Sequence, residues 1–157
     1  MMAQRRKIYI PSRSGMGRKP RLDLPDKILN VNKPANPEIQ RVQGIMPDSK
    51  EEYWVALALY KLHIDFVFQY QLFGGRKYKG GQVVDFWIYT MPLPTPLLVQ
   101  GYYFHYATAE RTSQTKLNLM YLESRLAGKA NKPVEIIDTE IPTADDAYIV
   151  VKRKLHR

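Results

Sequence analysis

Between residue 48 and the C-terminus, the apolar and polar positions of this chain fall into regular rhythms; before residue 48 they do not. Ser49 followed by Glu52 has the form of a capping box, in which each side chain satisfies a backbone N–H at a helix start. Behind it Trp54, Val55, Ala58, Leu59 and Leu62 recur at helical spacing, which predicts a helix to about His63. The period then drops to two over residues 64–71. Ile64, Phe66, Phe68 and Tyr70 share one face, and Asp65, Val67, Gln69 and Gln71 the other. Residues 82–89 read as a second strand, broken by Pro92, Pro94 and Pro96, which stiffen the connection. Residues 97–100 are a short apolar strand. Residues 109–127 turn helical, with Leu117, Met120, Tyr121 and Ser124 as the expected buried stripe and Gly128 as the stop. Residues 134–137 form another short strand. Thr143 with Asp146 suits the cap of a last helix, with Ala147, Tyr148, Val151 and Leu155 inward, while the β-branched run Ile149-Val150-Val151 suits a strand.

The predicted order is helix, strand, strand, strand, helix, strand, helix. A strand–helix–strand unit late in the chain implies a parallel pair, and the glycine-looped pair before it implies an antiparallel hairpin. Both are met by an α/β fold with a mixed central sheet and helices on its two faces. Residues 48–157 form that domain. Residues 1–47 hold six prolines and three glycines with no period, which predicts an extended or disordered basic arm, with one short ordered piece around residues 28–31.

Charge sharpens that division. Of the net +9, most sits on the arm, where ten Lys and Arg face Asp23, Asp26 and Glu38. Arg5, Arg6 and Lys7 open it. A basic arm binds phosphate because each neutralised phosphate releases a condensed counterion, so nucleic acid is the expected partner. A solubilising tail is the bland alternative. The absence of cysteine excludes a disulfide framework, a thiolate zinc site and a cysteine nucleophile. No apolar run approaches the roughly 20 residues of a membrane span, so no membrane partner is expected. Pro11 and Pro20 spoil the amphipathic helix a transit peptide would need. The expected setting is the cytoplasm or a viral particle.

Candidate chemistry concentrates in two segments, Gly80-Gly81-Gln82-Val83-Val84-Asp85-Phe86 and Leu97-Leu98-Val99-Gln100-Gly101-Tyr102-Tyr103-Phe104-His105. An acid inside an apolar strand is costly to bury without a partner, and a metal ion or a proton donor is the usual one. Glu52 is explained by the capping box alone, yet it is also a candidate site acid. His105 reads equally as a core histidine, and Gln100 as a strand-end hydrogen bonder. Arg76, Lys77, Tyr78 and Lys79, set between two glycine pairs, offer three cations for phosphate and a ring for stacking, or merely a soluble hairpin tip. Lys116 on the following helix lies within the same reading, against a solvated helix face. Tyr102, Tyr103, Phe104 and Tyr106 read as core or cleft wall. The spacing of Gly74-Gly75 and Gly80-Gly81 matches no phosphate loop or dinucleotide fingerprint.

With Glu52 on the first helix, Asp85 in its Gly-Gly-Gln-Val-Val-Asp-Phe strand, the Val99-Gln100-Gly101 strand end and His105 beyond it, residues 48–155 resemble the restriction-endonuclease-like fold, the PD-(D/E)XK nuclease superfamily. The nearest flavour is the very-short-patch repair endonucleases. The resemblance implies a Mg²⁺ (or Mn²⁺) ion held by Asp85, Glu52 and Gln100, with His105 assisting at the phosphate. The chain departs from the superfamily pattern at Gln100, where an acid is commonest, and at Tyr102, where a lysine is commonest. A glutamine carbonyl can coordinate a cation but brings no charge.

Two functions are therefore expected. One is a metal-dependent DNA endonuclease or nicking enzyme. The other is a catalytically impaired nuclease-like domain that binds nucleic acid, or serves within a larger ribonucleoprotein or viral assembly that orders the arm.

Overall fold

A computed structural model of the protein describes residues 37–156. Four strands form one mixed sheet in the order β1-β2-β3-β4: β1 Phe66–Leu72, β2 Gln82–Ile88, β3 Thr95–Gln100 and β4 Val134–Ile137. The first two pairings are antiparallel and β3–β4 is parallel. Helix α1 (Lys50–Lys61) precedes the sheet. A short helix α2 (Tyr102–His105) and the long α3 (Ala109–Arg125) connect β3 to β4, and α4 (Ala144–Lys154) closes the chain. Arg5, Arg6, Lys7 and the expected ordered piece at residues 28–31 lie outside the described residues. No helix among the described residues is long and apolar enough to cross a membrane.

The apolar period explains the layers. Trp54, Val55, Ala58 and Leu59 of α1 and Ala147, Val150 and Val151 of α4 meet Phe66, Phe68, Phe86, Ile88, Leu97 and Ile136 of the sheet in the larger core. Leu122 and Leu126, at and just beyond the end of α3, cover the other face with Leu72, Val84 and Trp87. The chain thus builds a helix–sheet–helix sandwich around a mixed sheet, as its order of elements predicts. The last segment is a helix: Thr143 Oγ1 accepts the Asp146 N–H at 3.2 Å, and Lys152, Arg153 and Lys154 sit at the negative end of the dipole. These terminal signals outweigh the modest helical cost of three β-branched residues.

Three expectations need correction. The stripe Leu117, Met120 and Tyr121 is exposed at 58%, 63% and 54%. Helix α3 instead turns Thr115 and Leu122 inward, a neighbouring stripe on the same cylinder that the sequence marks less plainly. Tyr102, Tyr103 and Phe104 are also exposed, at 48%, 65% and 74%, because a single turn of helix projects them outward. That turn is fixed by Asp138 Oδ1, which accepts the Tyr102 N–H at 2.9 Å, and by Arg111, which donates to the Tyr103 carbonyl at 2.7 Å. The single-face alternation of β1 also fails, switching at Gln69, whose φ is 48°. Phe66 and Phe68 enter the larger core, whereas Leu72 joins the smaller one and Tyr70 stacks on Trp87 at 4.8 Å.

Packing begins upstream of Asp48. Val42 is 1% exposed in the larger core and pairs with Ile45 in a tight turn. Between them, the Gln43 amide donates to the Phe66 carbonyl and accepts the Phe68 N–H, both at 2.8 Å.

Candidate functional site

The site begins where α1 begins. The Ser49 hydroxyl accepts the Glu52 N–H at 3.2 Å, and Glu52 Oε2 accepts the Asp48 N–H at 3.2 Å. The expected box is therefore half formed, with Glu52 reaching Asp48 rather than the Ser49 N–H, and the Glu52 residue is 7% exposed.

Asp85 comes to the same place from β2. The β2–β3 ladder runs from Ile88↔Thr95 to Phe86↔Leu97 and ends there. At the next residue the Asp85 side chain takes over: its Oδ2 accepts the Val99 N–H at 2.7 Å. A carboxylate thus fills the gap left where two strands part, and satisfies a donor the ladder no longer serves.

Electrostatics binds the two acids together. Burial is the main cause lifting the Asp85 carboxyl to about 6, against the pull of the Val99 N–H; the Asp48 charge adds to the rise and the Arg76 guanidinium opposes it. Burial also leads in lifting Glu52 to about 7, followed by the negative charge of Asp85, with the Asp48 N–H and Arg76 again opposing. Both carboxyls are thus held up by burial, and the charge of Asp85 raises Glu52 further, so the two form one coupled acid site. Such a like-charged buried pair favours any cation that can reach it.

Arg76 comes from the hairpin between β1 and β2, a turn of 3₁₀ helix over Gly75–Lys77. The glycines permit it: Gly74, Gly75 and Gly80 have φ of 90°, 74° and 77°, and a Cβ on Gly81 would collide with the Gly75 carbonyl. Arg76, Lys77, Tyr78 and Lys79 are all exposed on this tip. Arg125 of α3 moors it by donating to the Gly80 carbonyl and lying 3.4 Å from the Phe73 ring centre.

Gln100 and His105 are placed elsewhere. They line a cleft of about 210 Å³ between the sheet and α3, with Gln82, Leu98, Thr115 and Asn118 among its walls and Asp85 not among them. Along β3, Val99 packs toward α1 and α4 while Leu98 packs toward α3, so Gln100 follows Leu98. The four residues expected to share one site are thus divided into Glu52 with Asp85, and Gln100 with His105. Lys116 is exposed on α3.

Among the described residues, no group of three or more His, Asp or Glu is set to enclose a metal ion. Glu52 and Asp85 each commit one oxygen to a backbone N–H and keep the other. Sequence reasoning missed Asp48, which lies beside the capping box, and Gln82 and Asn118. Asn118 is three residues from Thr115 and four from Leu122, a helical spacing that sets this exposed residue at the cleft rim beside the buried stripe of α3. No family model, curated protein or solved structure matches this chain.

Proposed function

We propose that this chain is a restriction-endonuclease-like phosphodiesterase, a metal-dependent DNA endonuclease or nicking enzyme, with Glu52 and Asp85 as its acid pair. The observation that carries the reading is the convergence of these two buried carboxyls at the point where β2 and β3 part. The element order of helix, three strands, helix and strand supports the same family of folds.

The donor set fits Mg²⁺ or Mn²⁺ in an open site. Mg²⁺ takes hard oxygen ligands and is usually held by one or two carboxylates, with waters and substrate phosphates completing its shell. Glu52 and Asp85 supply such oxygens; Gln100, lining the cleft on the α3 side, is not part of this set. A divalent cation bound there neutralises developing phosphate charge and makes water a better nucleophile.

The chain's own groups do the rest. Asp85 would give the cation one carboxylate oxygen, with the Val99 N–H fixing its orientation. Glu52, tied to the Asp48 N–H at the start of α1, would give it a second. Arg76 stands close enough to lower both carboxyls, at the tip whose Lys77 and Lys79 offer further phosphate contacts.

A second reading, the non-cleaving nucleic-acid binder, is favoured by one observation: no third ligand stands with the pair among the described residues. Supercoiled plasmid incubated with Mg²⁺ or Mn²⁺ separates the two. Nicking by the native protein and not by Asp85→Ala establishes the enzyme. Retarded plasmid mobility with both proteins, and no nicking by either, establishes the binder.

A further inference from the structure

We propose that the cleft between the sheet and α3 is a pocket for a single unstacked nucleobase, read through its hydrogen-bonding edge. The inference rests on the nucleic-acid reading above and assigns that reading a base contact separate from the acid pair.

Volume sets the ligand class first. At about 210 Å³ the cleft exceeds the roughly 150 Å³ that holds a benzene ring, and falls below the roughly 300 Å³ where pockets for drug-sized ligands begin. One planar ring system is the size that fits. Charge comes next. Among the described residues no Asp, Glu, Lys or Arg lines the cleft, which suits a neutral group better than a phosphate. Leu98 and Leu122 give it an apolar floor.

The polar walls then show the pattern of an edge reader. Among the described residues Gln82 Oε1 is buried with no hydrogen-bond partner, an acceptor left open at a cost that a bound donor would remove. Asn118 Oδ1 already accepts from Gln114 at 2.9 Å, which leaves its amide N–H groups to donate. Gln100 brings one more donor–acceptor amide. Thr115 Oγ1 donates to the His105 carbonyl at 2.9 Å, so its contact with His105 Nδ1 at 3.3 Å is one it accepts. The amide donors and acceptors of Gln82, Gln100 and Asn118 beside apolar Leu98 and Leu122 suit the alternating edge of a base, and amide side chains are suited to bidentate contacts of this kind.

The surroundings fit a strand more than a lone small molecule. The helical turn that brings His105 to the cleft exposes Tyr102, Tyr103 and Phe104, and Arg111 lies over the Tyr103 ring at 5.1 Å. Exposed aromatic faces of this kind stack neighbouring bases of single-stranded nucleic acid.

The test measures binding without metal, so that cutting is irrelevant. A fluorescent single-stranded oligodeoxynucleotide, an abasic strand of equal length and charge, and free nucleosides are titrated against the full chain in EDTA. The intact strand binds more tightly than the abasic one. Gln100→Leu and Asn118→Leu each reduce that preference about tenfold while leaving abasic-strand affinity unchanged. Asn118 is half of a surface hydrogen bond, so its variant keeps the test open if Gln100→Leu fails to fold. Equal binding of both strands, a preference that survives both substitutions, or no binding at all overturns the pocket. Nucleosides binding as tightly as the strand assign it to free bases instead, which overturns the strand contact. Plasmid nicking with no base preference removes the pocket and leaves the acid pair standing; base preference without nicking does the reverse.

Discussion

Asp85 Oδ2 accepts the Val99 N–H at 2.7 Å, one residue past the last ladder pair of β2 and β3. The contact keeps a buried carboxylate and a freed backbone donor mutually satisfied, and it leaves the second Asp85 oxygen available. Because desolvation still dominates its environment, that oxygen's charge makes the fold sensitive to pH and to cations.

Both carboxyls of the pair are raised in the folded state, from 3.8 to about 6 for Asp85 and from 4.5 to about 7 for Glu52. Below the unfolded values both states are protonated and the fold has its full stability. As pH rises through 6 and 7 the unfolded chain has already released its protons, so stability falls. The loss summed over both carboxyls is on the order of 5 kcal/mol between about pH 4.5 and about pH 8. Urea midpoints at the two pH values, for the native chain and for the Glu52→Gln, Asp85→Asn double variant, check it: the variant should lose most of the difference.

A cation that binds the pair reverses this penalty. Mn²⁺ or Mg²⁺ at tenfold its dissociation constant should stabilise the native chain by about 1.4 kcal/mol at alkaline pH and leave Asp85→Asn unmoved. Thermal melts with and without metal read this directly. An equal rise in both proteins would mean that the ion binds elsewhere.

Gln43→Ala removes two hydrogen bonds to the β1 backbone and should cost about 2 kcal/mol, with Gln43→Glu recovering only the accepting half. Hydrogen exchange at the Phe68 amide provides a local reading beside the unfolding midpoint.

Gly81→Ala sets a methyl group against the Gly75 carbonyl and should cost about 1–3 kcal/mol. A larger loss in plasmid affinity than in Asp85→Ala would tie the displaced Arg76–Lys79 tip to phosphate contact; equal affinities would release the tip from that role.

Deleting residues 1–36 removes Arg5, Arg6 and Lys7 and keeps Val42, Gln43 and Ile45, which belong to the folded domain. If the arm meets phosphates, the slope of log affinity against log salt becomes shallower by about 0.9 for every phosphate the arm had neutralised. An unchanged slope would assign DNA binding to the folded domain alone.

Local chemistry made much of this legible in the sequence. The Ser49 cap, the glycine pairs of the hairpin, Pro92 and Pro94 before β3 and the Thr143–Asp146 cap all act within a few residues, each where its spacing predicts, whereas Pro96, expected to break the chain, lies inside β3 opposite Trp87. What failed depends on neighbours far along the chain. Leu117, Met120 and Tyr121 carry the stronger apolar pattern on α3, yet the sheet receives the Thr115–Leu122 side. Gln100 goes with Leu98 to the α3 side by the alternation of β3 itself, but which side of the sheet meets α3 and which meets α1 depends on packing that no single strand encodes. Gln43 reaches across 23 residues to Phe66, and nothing in its neighbourhood announces that.

That same glutamine has a bearing on how the molecule keeps to itself. Among the described residues β1 is the outermost strand on its side of the sheet, and its outward carbonyl at Phe66 and amide at Phe68 are the groups onto which a foreign strand would zip. One primary amide imitates a missing neighbour at that margin, so the sheet is terminated there by a side chain rather than by another length of backbone.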